Sequence, residues 1–252
     1  MLLAVCSSSA VVAQNAALTP ELTPESIAEI RRLAEQGDAA GQVIVGMMYG
    51  EGIGVVKNDI EAVKWYRLAA DQGNANAQFI LGRMYYNGEG VPKNAAEAVK
   101  WSRLAADQGN ANAQFNLGMM YAEGIGVTKN DAEAVKWYRL AVDQGMAEAQ
   151  YNLGNMYYNG EGVPRNDAEA VRLFRLAADQ GLADAQANLG VMYADGAGVP
   201  KNDAEAYFWW NLAAAQGSEQ AKNNRDIIEK KMTREQISEA QRRSAAWKPK
   251  KN

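Results

Sequence analysis

Between residues 38 and 217 the chain holds one serine, Ser102, and one threonine, Thr128, and the whole sequence contains no histidine. A hydroxyl nucleophile needs a base within hydrogen-bond reach, and no such pair can be assembled from these residue types. The single cysteine, Cys6, stands near the N-terminus. It can form neither an intrachain disulfide nor a zinc site of the cysteine–histidine kind. The glycine-rich stretches EGIGV and NGEGVP look like fragments of a phosphate loop. Such a loop, however, follows a strand and opens a helix with a third glycine or a Gly-Lys-Ser/Thr. These join helix to helix, so they read as turns that need positive φ. No catalytic residue, cofactor site or metal ligand is assigned, and the chain reads as a non-enzyme.

What must be positioned is therefore a surface, and the frame that positions it is a repeat. Gly37, Gly73, Gly109, Gly145, Gly181 and Gly217 stand 36 residues apart, which defines five complete units over residues 38–217 without insertion. An invariant period of this length means a stacked array in which each unit contacts its neighbours. Within a unit the spacing predicts a first helix, for example over 75–87. Ala77, Leu81 and Tyr85 recur at i, i+4, i+8 and form its buried face. Gly82, Gly118, Gly154 and Gly190 lie inside this helix, where glycine costs about 1 kcal/mol against alanine. Close helix approach is the reason expected for that repeated cost.

After the turn, Asn94, Asn130, Asn166 and Asn202 each precede a Glu by three positions, which is capping-box spacing at the start of a second helix. Ala98, Trp101, Leu104 and Ala105 are its expected buried set. Glu97, Lys100, Arg103 and Asp107 are expected on a solvated face laced with i,i+3 and i,i+4 pairs.

The ends differ from the array. Residues 1–15 read as a signal peptide, with Val11-Val12-Ala13 fitting the cleavage rule and a mature chain beginning close to Gln14. Residues 16–23 read as a linker and 24–37 as an N-terminal capping helix. Residues 218–247 read as C-terminal capping helices, with Thr233 and Gln236 spaced as a capping box and Met232 and Ile237 as its staple. Residues 248–252 are expected to fray. From residue 222 onward there are ten Lys and Arg against four Asp and Glu, so a basic tail follows an acidic array. The interleaved acids favour a soluble cap over a nucleic-acid surface. After signal removal no stretch approaches the roughly 20 apolar residues of a membrane span.

The pattern carried by Ala113, Leu117, Gly118, Tyr121, Gly124, Gly126, Val127, Asn130, Ala134, Trp137, Ala141 and Gly145 resembles the Sel1-like repeat, a relative of the tetratricopeptide repeat. The resemblance covers residues 38–217, with Val45 in place of leucine and Leu173 in place of tryptophan. It implies an all-α, right-handed α-solenoid of helix-turn-helix repeats that serves protein–protein interaction in a bacterial envelope, secretion or signalling role. The expected location is periplasmic or secreted, or cytoplasmic if residues 1–15 are not a signal. Two alternatives also follow: a divergent secreted protein that binds or hydrolyses β-lactams, and a structural component of an envelope assembly. The cysteine pairs of the β-lactam-binding relatives are missing here.

In a solenoid curved like such relatives, helix positions away from the Ala-Leu-Tyr stripe line the concave side. They include Asn112, Asn116 and Met119, then Asn152 and Asn155, then Asn188, with Arg83 in the second unit. A carboxamide both donates and accepts, so the ladder of Asn116, Asn152 and Asn188 is suited to gripping the backbone of a protein or peptide partner.

Overall fold

The computed structural model describes residues 23–250; the expected signal peptide, residues 16–22 of the linker and the last two residues lie outside them. The described residues form thirteen α-helices and no strand. α1 (Pro24–Glu35) precedes the array. The first helices of the five units are α2 (Ala39–Glu51), α4 (Ala75–Asn87), α6 (Ala111–Glu123), α8 (Ala147–Asn159) and α10 (Ala183–Asp195). The second helices are α3 (Asp59–Asp71), α5 (Ala95–Asp107), α7 (Asp131–Asp143), α9 (Asp167–Asp179) and α11 (Asp203–Ala215). α12 (Glu219–Glu229) and α13 (Arg234–Ala246) follow. Within the array each helix packs mainly on its sequence neighbours, as an all-α solenoid requires, whereas α13 packs back on α11 rather than on α12.

Each first helix ends on a left-handed glycine, from Gly52 to Gly196, at φ between 72° and 81°. Each second helix starts on an asparagine whose side chain accepts from the N–H groups of its first turn. The reciprocal half of the expected capping box is not made, because the asparagine N–H is already taken. Asn94 N–H donates to Tyr85 O at 2.9 Å, and Asn58, Asn130, Asn166 and Asn202 do the same one unit apart. In the first four units the glutamate three positions on pairs instead with a base one turn ahead, as Glu97 does with Lys100 and Glu169 with Arg172. Among the described residues the complete box is at Thr233 and Gln236.

Ala77 and Leu81 are fully buried, as are Ala113 and Leu117. Tyr85 is only half-buried, and its hydroxyl accepts from Arg67 of the preceding unit. Arg103 likewise reaches Tyr121 rather than lying on the solvated face. Leu104 also departs from expectation, being 41% exposed, while Val99 and Ala106 are buried. At 3.6 residues per turn Leu104 stands about 120° from Ala98 on the side opposite to Val99, Ser102 and Ala106, all of which lie within about 100° of it. Apolar type was a poorer guide than angle.

A glutamine at each first helix ties the units together. Gln78, buried, donates to Ala70 O of the preceding unit at 3.1 Å and accepts from Gln108 of its own at 2.7 Å. Gln42, Gln114 and Gln186 repeat both contacts, so these buried polar groups are satisfied. The Ala34 carbonyl of α1 serves Gln42 as Ala70 serves Gln78.

The interior glycines do permit close approach. A Cβ at Gly118 would lie 2.7 Å from Tyr138 Cδ1, and one at Gly154 would lie 2.7 Å from Phe174 Cε1. The second glycine of each turn does more than adopt positive φ. At Gly126 (φ 68°) a Cβ would lie 2.3 Å from Ala95 O, on the backbone of the preceding unit.

At the far end Arg243 pairs with Glu205 at 2.6 Å, which draws one base of the tail into the cap. Residues 248–250, expected to fray, run back along the array. There Lys250 N–H donates to Asp179 O at 2.8 Å and its Nζ meets the Asp179 carboxylate at 2.7 Å.

Candidate functional groove

Two cavities of about 400 Å³ each open along the first helices of units one to five. They share Tyr86, Phe115, Met119 and Glu148, so they form one continuous groove. Arg83, Asn112, Asn116 and Met119 line the first cavity; Met119, Asn152 and Asn155 line the second. Asn188 lines neither and donates to Asn155 Oδ1 at 3.1 Å, so it holds α10 to α8 instead. Asn152 Nδ2 lies 3.4 Å from the Tyr138 hydroxyl. The side-chain amides of Asn112 and Asn116 make no hydrogen bond among the described residues.

Sequence reasoning missed the aromatic walls. Phe79, Phe115 and Tyr151 occupy one position of successive first helices and all line the groove. Their 36-residue recurrence was the available signal. The same recurrence suits a core, and Phe79 and Phe115 are in fact buried.

Lys57 is neutralised by Asp59 at 3.6 Å and Lys129 by Asp131 at 3.5 Å. Glu51, Glu123, Glu148 and Asp184 line the groove without an ion-pair partner among the described residues. Arg83 is the lining cation without one, and its Nε is buried with no hydrogen-bond partner. Burial pushes the Tyr66 phenol up, and the Arg83 charge partly opposes that shift. The groove is thus acidic, with one unsatisfied guanidinium inside it.

Chemistry of other kinds finds little to work with. Ser102 is 1% exposed and its hydroxyl makes no hydrogen bond among the described residues, while Thr128 lies in an exposed turn. No group of three or more His, Cys, Asp or Glu that could hold a metal occurs among the described residues. No described helix is long and apolar enough to cross a membrane.

Stacked helix pairs of constant length beside a long polar and aromatic groove define a repeat scaffold of the α-solenoid class. The chain belongs to the Sel1 repeat family, whose pattern matches residues 39–74, 75–110, 111–146, 147–182 and 183–218. Sel1 repeat proteins generally mediate protein–protein interaction, and their arrays are generally non-enzymatic. A solved structure of a protective antigen present in uropathogenic Escherichia coli strains, displaying an SLR fold, is 36% identical with a TM-score of 0.78. The match covers 86% of this chain and 46% of that one. A Sel1 repeat protein from Oxalobacter formigenes is 35% identical with a TM-score of 0.73, covering 83% of this chain and 61% of its own. This chain therefore spans about half the length of these relatives. Among curated proteins there is no match.

Proposed function

We propose that the protein is a binding scaffold that holds an extended segment of a protein partner along the groove of the first helices, the concave side of the array. The observation that carries this reading is the set of lining side chains that the fold leaves unused. Asn112 and Asn116 make no bond, Arg83 has a buried free Nε, and Met119 lies where the two cavities meet. Buried polar groups are ordinarily paired, so the buried Arg83 Nε calls for a partner from outside, and the half-buried Asn112 and Asn116 amides beside it are open to the same segment. The unpaired carboxylates favour a segment with basic side chains toward units three to five.

A selection of peptides from a random display library on the folded array tests this. Recovered peptides should lose affinity when Asn112, Asn116 and Asn152 are changed to alanine; peptides indifferent to that change would put the site on another face.

Export to the periplasm or beyond is a separate part of the proposal, supported by the residue pattern of positions 1–15 alone. Intact mass of protein from native cells should show a chain beginning close to Gln14. A mass including Met1 would overturn it.

A further inference from the structure

In four of the five units the second helix sends an aromatic ring over the interior glycine of its own first helix. The pairs are Tyr66 on Gly46, Tyr138 on Gly118, Phe174 on Gly154 and Trp210 on Gly190. The second unit keeps the glycine, Gly82, but has Ser102 where the ring belongs. There a Cβ on Gly82 would lie 2.8 Å from Ser102 Oγ and 3.2 Å from Ala98 O, so the serine hydroxyl and the α5 backbone cover the glycine, and the room a ring would take lies beyond that hydroxyl in the first cavity, which both Gly82 and Ser102 line.

The surroundings of the missing ring are intact. In the third unit Phe115 packs against the Tyr138 ring with centroids 5.8 Å apart, and in the fourth Tyr151 packs against Phe174 at 5.9 Å. Phe79, at the same position in the second unit, lines the cavity and has no such ring beside it. Asn152, fourteen residues beyond Tyr138, points its Nδ2 at that hydroxyl. Asn116, fourteen residues beyond Ser102, lines the cavity with its amide unpartnered. Ser102 itself is almost fully buried with a hydroxyl that bonds to nothing among the described residues.

We infer that this cavity receives a tyrosyl side chain of the bound segment, with its ring against the Ser102 hydroxyl beside Phe79 and its own hydroxyl accepting from Asn116 Nδ2. The chain supplies this ring for itself in the third unit and leaves it to the partner in the second. Aromatic packing and one directed hydrogen bond together select a phenol over an aliphatic side chain. The inference rests on the groove being the binding site and specifies what one part of it recognises.

The probe is N-acetyl-L-tyrosinamide, followed by NMR of the Gly82 backbone amide and the Asn116 side-chain amide. Both should shift saturably at probe concentrations up to about 10 mM, while the Gly118 and Asn152 signals, facing their own ring, stay put. N-acetyl-L-alaninamide should leave Gly82 unmoved. Asn116→Ala should weaken the tyrosyl probe roughly two- to tenfold and leave N-acetyl-L-phenylalaninamide unchanged. Ser102→Tyr should fold with a raised melting temperature, since a ring then fills the void, and should no longer bind the probe. Undiminished binding to Ser102→Tyr, an alanyl probe as effective as the tyrosyl one, or no movement at Gly82 would overturn the inference. The groove reading fails separately. A selected peptide that depends on Asn112 and Asn152 yet ignores Ser102→Tyr would remove the tyrosyl pocket and keep the groove.

Discussion

Gly126→Ala is expected to destabilise the array by roughly 2 to 5 kcal/mol, more than any exposed substitution near it. Two costs combine at this position. The backbone sits at φ 68°, where an L side chain is strained by about 1 to 2 kcal/mol. The added methyl would also fall 2.3 Å from Ala95 O, and a carbonyl at the start of α5 cannot swing aside as a side-chain tip can. Forced overpacking typically costs about 1 to 3 kcal/mol, occasionally more. Two comparators separate the causes. Gly109 has positive φ but nothing within 4 Å of its Cβ position, so Gly109→Ala should show the conformational cost alone, about 1 to 2 kcal/mol. Gly118→Val meets the Tyr138 ring within a helix of ordinary φ and should lose roughly 1 to 3 kcal/mol. Urea midpoints at unchanged m-value give the ranking. Equal losses at Gly126 and Gly109 would mean that the junction between units is not the tight contact described.

The second large effect concerns binding. For a peptide selected on the array, the triple change of Asn112, Asn116 and Asn152 to alanine should reduce affinity by about 1.5 to 4.5 kcal/mol, three net hydrogen bonds at about 0.5 to 1.5 kcal/mol each if they add. Stability should be nearly untouched, because the only internal bond among the three is the long contact of Asn152 with Tyr138. Asn188 is left out of the set because its bond to Asn155 joins two units. The matched control is Lys100, Lys136 and Arg172 to alanine on the second helices. These exposed bases pair with half-buried glutamates on their own helices, surface contacts worth about 0 to 1 kcal/mol, and Lys100 also lies over the Trp101 ring at 5.4 Å. Isothermal titration of both triple variants decides. A control that loses binding while the asparagine variant keeps it would put the site on the charged face.

Periodicity made most of the fold legible. The invariant 36-residue spacing located the first helix at the residues observed, 75–87, and the interior glycines announced a close contact before its partner was known. What stayed hidden was which group each polar side chain would find. Gln78 recurs as plainly as Asn116, yet one is buried in a bond between units and the other is free in the groove. A helical wheel separates faces but not the neighbours that meet them. Glu97 had capping-box spacing, but the N–H it would have served was already taken by Tyr85 O. Ser102 is visible in the sequence as the odd member of a column with Tyr66, Tyr138, Phe174 and Trp210. Its meaning required knowing that this column points at the interior glycines.

The central claim is that a partner segment lies in the groove of the first helices, and the methionines already in the chain report on it. Met119 and Met146 line the groove, whereas Met232 packs in the C-terminal cap. With ¹³C-methyl-labelled methionine, addition of a selected peptide should shift the Met119 and Met146 methyl signals and leave Met232 in place. A titration in which Met232 moves while Met119 and Met146 do not would contradict the account.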